Sequence, residues 1–211
     1  MPTRNTLVRS LHDVGAAAWF GGSLMGALGV NGAAAQVRDP TDRARVAAAG
    51  WAKWAPMNTL AIGVHLLGAA GVLLAQRDRI QHQPGVRAKA TAKIVLTAAA
   101  VATTAYSGVL GATVAHGDGQ PAEGATEPTI GTPPEVAAAQ QQLTILQWAT
   151  PVLTAAIIVL DAQHGDQQSA GQRLACVGAQ LLRRARTIKP DLMRGTWLVL
   201  LDRVGGHRTR Q

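Results

Sequence analysis

Cysteine is nearly absent. Cys176 is the only one in 211 residues, which rules out an intramolecular disulfide and any cysteine-based metal motif. Aromatic residues are also few, with one Phe, one Tyr and five Trp. No Ser/Lys or Ser/His dyad, paired aspartates or His-Glu-x-x-His run is recognisable, so the chain reads as non-enzymatic. The most informative absence is that of charge. Residues 14–37, 54–76, 94–117 and 136–160 contain no Asp, Glu, Lys or Arg, in windows of 24, 23, 24 and 25 residues. Each is long enough to cross a hydrocarbon core of ~30 Å at ~1.5 Å per residue. The expected class is all-α: an integral membrane four-helix bundle over residues 1–163, followed by a basic amphipathic cytoplasmic tail over 164–211.

The chain carries 20 Lys and Arg against 12 Asp and Glu. Their placement points to membrane topology rather than to nucleic acid. Alternate segments outside the windows hold sixteen cations on one side and four on the other. The positive-inside rule then places both termini in the cytoplasm of a bacterial inner membrane. The third loop, residues 116–135, is rich in Gly, Pro and Thr and is expected to be an irregular, mobile external segment. The first loop is expected to form a short external helix leading into Trp51 and Trp54.

Each window has one small or polar face. In the first, Gly15, Trp19, Gly22, Gly26, Gly29 and Ala33 fall within about 40° at ~100° per residue, a helix-packing pattern that includes a small-xxx-small step. In the second, Asn58, Ala61, His65 and Gly68 form one stripe. The third aligns Thr97, Ala100, Thr104, Gly108, Gly111 and Ala115, and the fourth aligns Gln140, Thr144, Gln147, Pro151, Thr154 and Asp161. Polar groups facing lipid would go unsatisfied, so these faces are expected to turn into the bundle.

The midpoints of the windows fall near Gly26, His65, Thr104 and Gln147. The sequence therefore predicts a buried polar layer of His65, Asn58, Thr104 and Gln147, with Gly26 making room. By the same count His12 lies ~20 Å from His65 at ~1.5 Å per residue, too far for a two-histidine site in one chain. The expected role is that of a structural or accessory membrane protein without a cofactor. Copper or haem handling through His65 or His12 is the alternative, and small-solute transport a further one.

In the tail, Val177, Leu181, Ala185 and Ile188 share a face with Leu174, whereas Arg183, Arg184 and Arg186 lie away from it. A second amphipathic stretch carries Trp197. Both suit an anionic lipid surface or a partner protein, and association with a membrane-protein partner or a second copy is possible.

Residues 11–22, Leu-His-Asp-Val-Gly-Ala-Ala-Ala-Trp-Phe-Gly-Gly, followed by a loop of Arg-Ala-Arg-Val and a second span, resemble the opening of copper-resistance protein D-type membrane domains. The likeness covers residues 11–75 and implies copper uptake or tolerance, with His12 as a ligand. The chain departs from that family in its four-span size and its lack of Met-rich or Cys-containing segments. Arg4 and Arg9, an apolar run and Ala33-Ala34-Ala35 also resemble a signal peptide, but the run exceeds the usual ~7–15 residues. The first span is expected to stay uncleaved, so the intact mass of membrane-extracted protein should retain it. A chain starting at Gln36 would contradict the four-span reading.

Overall fold

The computed structural model describes residues 2–117 and 119–163, together with residue 180. The chain divides into two units, Met1–Ala162 and Gln163–Gln211. The expected tail helices, with Arg183, Arg184, Arg186 and Trp197, lie outside the described residues.

Helix α1 (Pro2–Met25) passes into a five-residue π segment, Gly26–Val30, and then into α2 (Asn31–Ala35). A tight connection follows. Asp39 caps α3 (Pro40–Ala75) by accepting from the Thr41 backbone N–H at 2.9 Å and the Thr41 hydroxyl at 2.7 Å, with Pro40 in the first turn. These two donors hold the exposed Asp39 carboxyl below its usual range. The short external helix expected before Trp51 is instead the first part of α3, which runs without interruption through Trp51, Trp54 and the internal Pro56. Helix α4 (Arg77–His82) and α5 (Pro84–His116) follow, and α6 spans Pro134–Gln163.

The described fold is all-α, and three of its helices, α3, α5 and α6, are long and apolar enough to cross a membrane. Their outer faces expose Met57, Leu60, Leu67, Val95, Val109, Ile145 and Val152, consistent with lipid contact in a multi-pass membrane protein.

The inward faces follow steps of four and three. On α3, Ala47, Ala61, His65 and Gly68 are buried and Trp51, Trp54 and Asn58 are half-buried. On α6 the line runs through Val136, Gln140, Leu143, Gln147, Thr150, Thr154, Ile157 and Asp161. This is a heptad seam, the period of helices coiling around one another. The same period corrects the face expected for α5. Ala100, Leu110 and Val114 are buried and Ser107 half-buried, whereas Gly108 and Ala115 are exposed. A straight 3.6-residue helix drifts away from a 3.5-residue seam, and the sequence alignment had followed the straight helix.

Helices α1 and α3 pack closely along their length. The numbers of facing residues add to between 76 and 80: 22 with 54, 26 with 51, 15 with 61, 12 with 68 and 8 with 71. A Cβ on Gly15 would lie 2.5 Å from the His65 backbone N, and one on Gly68 would lie 2.4 Å from the His12 backbone N. The Trp54 ring fills the space over Gly22, and the Trp51 ring that over Gly26. Small residues thus let the backbones touch and seat two indoles. Gly29 does not belong to this set, since a Cβ there would meet only Met25 of its own helix. The π segment adds a residue to the turn and rotates Gly29 off the α3-facing side.

The third loop packs against the helix ends. Ala125 joins Ala34 and Ala47 in a small core beside Trp51. The Ala122 N–H donates to Pro40 O at 3.1 Å, and Arg43 Nη1 donates to the carbonyls of Ala122 and Glu123 at 3.3 and 3.1 Å. Thr144 Oγ1 donates to Thr126 O at 2.8 Å. The loop is irregular as expected, but it is tied down as a cap, because backbone carbonyls within it find donors on α3 and α6.

Gly15→Ala should destabilise the protein by about 1–3 kcal/mol, since the new methyl meets backbone rather than a side chain able to move. Gly63→Ala, with open space at its Cβ, should be neutral. Thermal unfolding of both variants in detergent is the check.

Candidate functional site

The α1–α3 pairing brings His12 and His65 together. The notional origin of the hairpin lies near residue 38, so positions 26 before it and 27 after it stand side by side. The two rings stack with centroids 4.2 Å apart and planes 21° from parallel. The expected ~20 Å separation is therefore overturned. It rested on the midpoints of the charge-free windows, whereas the level of each residue is set by its distance from the turn.

Each histidine is held by the backbone of the other. His12 Nδ1 lies 3.3 Å from His65 O, and His65 Nδ1 lies 3.1 Å from His12 O. Carbonyl oxygens only accept, so both Nδ1 atoms carry the proton and donate. This leaves the two Nε2 atoms to do different things. His12 Nε2 stands 3.0 Å from Asp161 Oδ2 on α6, while His65 Nε2 is buried without a hydrogen-bond partner. The other Asp161 oxygen, Oδ1, accepts from Lys93 Nζ on α5 at 2.7 Å. Side-chain exposures of 8% for His12, 16% for Asp161 and 18% for Lys93 put this group out of bulk water. At low dielectric an unpaired carboxylate is expensive, and the paired arrangement joins α1, α5 and α6. Trp19 stands edge-on to His65 at 6.0 Å and donates to Thr104 Oγ1 at 3.2 Å.

Asp13 completes a possible donor set. One ligand atom each from His12, Asp13 and Asp161 lies within 4.8 Å of the others. The 3.0 Å between His12 Nε2 and Asp161 Oδ2 matches the ~3 Å gap between adjacent ligands of a cation bonded at about 2.0–2.2 Å. The Nδ1 bond to a carbonyl is the arrangement that orients a metal-ligating imidazole. With nitrogen and carboxylate donors only, the set suits a divalent cation such as Zn²⁺, Ni²⁺ or Cu²⁺ better than Cu⁺, which prefers sulfur. Met25 is exposed and packs over Gly29, away from this group. Haem does not fit between the two histidines. A two-histidine haem needs rings on opposite sides of one iron, and these rings are stacked face to face at 4.2 Å.

The residues expected to form one polar layer are distributed over the bundle instead. Thr104 pairs with Trp19, as above. Gln147 accepts from Asn31 Nδ2 at 2.9 Å and lies 3.4 Å from Thr126 Oγ1, close to the cap. Asn58 keeps a buried Oδ1 with no partner. Only His65 is at the level of His12. Asp161 falls on the polar face of its window without an assigned role, and Lys93 lies just outside the charge-free window 94–117, where charge spacing gives it no interior place. Its heptad phase, 93, 100, 107 and 114, was the signal that places it on the inner seam.

No protein-family model, curated protein or solved structure matches the chain. The likeness of residues 11–75 to copper-resistance protein D-type domains thus rests on the His-x6-Trp-x-Gly-Gly spacing alone.

Asp161→Ala should cost about 3–5 kcal/mol, because it leaves the Lys93 ammonium buried without its partner. The double variant Lys93→Met/Asp161→Leu should recover most of that loss. Thermal unfolding of the single and double variants in matched micelles measures the difference.

Proposed function

We propose that the protein is a four-span membrane protein that binds a divalent transition-metal cation through His12, Asp161 and Asp13. The observation that carries this reading is the convergence of one imidazole and two carboxylates within 4.8 Å at the partly buried end of the bundle. It favours metal handling over a purely structural or accessory role. The first charge-free window supplies the fourth span, running through α1, the π segment and α2. The distribution of Lys and Arg supports an inner-membrane location with both termini, and hence the His12 end, on the cytoplasmic side. The tail residues Arg183, Arg184, Arg186 and Trp197 are assigned to anionic lipid. The protein holds or passes on the ion without catalysing a reaction.

Lys93 has a defined part in this reading. Its ammonium neutralises Asp161 when no metal is bound, at 2.7 Å from Oδ1. An incoming divalent ion takes the position between His12 Nε2 and Asp161 Oδ2 and competes electrostatically with that ammonium. Removing Lys93 therefore strengthens binding, whereas removing a ligand weakens it.

The test is equilibrium dialysis of the purified, detergent-solubilised chain against Zn²⁺, Ni²⁺ or Cu²⁺ alone, with elemental analysis of bound metal. About one ion per chain is expected. His12→Ala and Asp161→Asn should each weaken affinity by about 10–100-fold, as losses of ligand or orienting groups do. Lys93→Met should tighten it by about tenfold, equivalent to ~1.4 kcal/mol. No bound metal at saturation, or binding indifferent to all three variants, would refute the assignment.

A further inference from the structure

Among the described residues five buried polar side-chain atoms have no protein partner: Gln140 Oε1, on a side chain whose Nε2 donates into the loop at the cap, and Trp54 Nε1, Asn58 Oδ1, His65 Nε2 and Ser107 Oγ further along the bundle. Three of them are on α3, at positions that fall within about 40° of one another at ~100° per residue. They run along ~16 Å of the helix at ~1.5 Å per residue. Ser107 comes from α5. Ala61 and Ala100 share a core cluster with Trp19, and Ala44 packs against the cluster formed by Leu110, Val114, Val136 and Ala139, as antiparallel α3 and α5 require. Seven residues back from Ala61 is Trp54, and seven residues on from Ala100 is Ser107. Two heptad-related positions thus put Trp54 and Ser107 at one level, with Asn58 between that level and His65.

Leaving a buried donor or acceptor unmade costs about 1–3 kcal/mol. The four beyond the cap are not explained as packing defects of an otherwise heptad-regular bundle. Water is the ligand whose chemistry answers them, because it can donate to Asn58 Oδ1 and His65 Nε2, accept from Trp54 Nε1, and do either with Ser107. We propose that the inner face of α3, turned towards α1 and α5, lines a hydrated track, a chain of bound water from the level of Trp54 and Ser107 past Asn58 to His65. The track is one face of an interior that is polar further towards the cap as well. There Trp51 Nε1 donates to Asn31 Oδ1 at 2.8 Å and Asn31 Nδ2 donates to Gln147 Oε1 at 2.9 Å. Its use as the route by which a hydrated cation approaches His12 rests on the metal site proposed above; the hydration itself does not.

Substituted-cysteine labelling of the metal-free, full-length chain in lipid bilayers tests the track. In a Cys176→Ser background, Ser107→Cys and Asn58→Cys are exposed to a small, water-soluble methanethiosulfonate. Val109→Cys, on the exposed apolar face, is the reference. Both seam cysteines should label at least tenfold faster than the reference, since only a hydrated thiol forms the reactive thiolate. Adding Asn58→Leu to Ser107→Cys should slow its labelling by about tenfold by filling the seam with hydrocarbon. Seam cysteines that label no faster than Val109→Cys would overturn the proposal. Fast labelling at Ser107 unaffected by Asn58→Leu would overturn the continuous track. Neither result depends on whether metal binds, so failure here is separable from failure of the metal site.

Discussion

The half-buried carboxylate of Asp161 is the constraint on which the rest of the bundle depends. Inside a low-dielectric interior it pairs with an ammonium and with an imidazolium, since His12 Nδ1 already donates to His65 O and Nε2 bonds Oδ2 only when it too carries a proton; these come from different helices, Lys93 from α5 and His12 from α1. His12 is in turn locked to His65 of α3 by two reciprocal ring-to-carbonyl bonds and by stacking. One acidic group therefore fixes the relative level of four helices. Apolar packing alone would allow them to slide, since lipid is as apolar as their outer faces. The glycines at 15 and 68 make this possible, because the two backbones must approach closely for the carbonyls to come within reach of the opposite rings.

The two ends of the bundle are built on different principles. The His12 end concentrates ionisable groups. The opposite end is closed by neutral hydrogen bonds, from Trp51 through Asn31 to Gln147, and by a loop whose carbonyls are taken up by Arg43, Gln140 and Thr144. Among the described residues the linked group of His12, Asp161 and Lys93 lies at one end, and the cap closes the other through neutral side chains together with Arg43. A metal bound at the ionisable end would replace an internal cation by an external one, and so would not force a new charge into the interior unpaired.

The helices, the polar inner faces of α3 and α6 and the glycine contacts of Gly15, Gly22 and Gly26 could be read from the sequence, because charge spacing and helical period are local properties. The meeting of His12 with His65 could not be read from window midpoints, although it follows from counting outward from the Asp39-Pro40 turn. Asp161 falls on the face expected to turn inward, but its partners cannot be read from that window alone. Lys93 closes the second loop in the charge count and so is not read as an interior group. A heptad reading, 147, 154 and 161 on one helix and 93, 100 and 107 on another, carries them inside. The packed cap was not legible at all. Gly- and Pro-rich composition reports the turns of a loop, and the donors that anchor this one lie outside it, on α6 and, eighty residues away, on α3.

The central claim is that His12 and His65 are partners within one chain, and a solid-state NMR distance tests it most directly. With ¹⁵N at the His65 ring and ¹³C at the His12 carbonyl, dipolar dephasing in bilayers should show the close approach implied by the 3.1 Å separation of Nδ1 and the carbonyl oxygen. The absence of any dephasing from that pair in folded protein would place the two histidines at different levels and contradict the account.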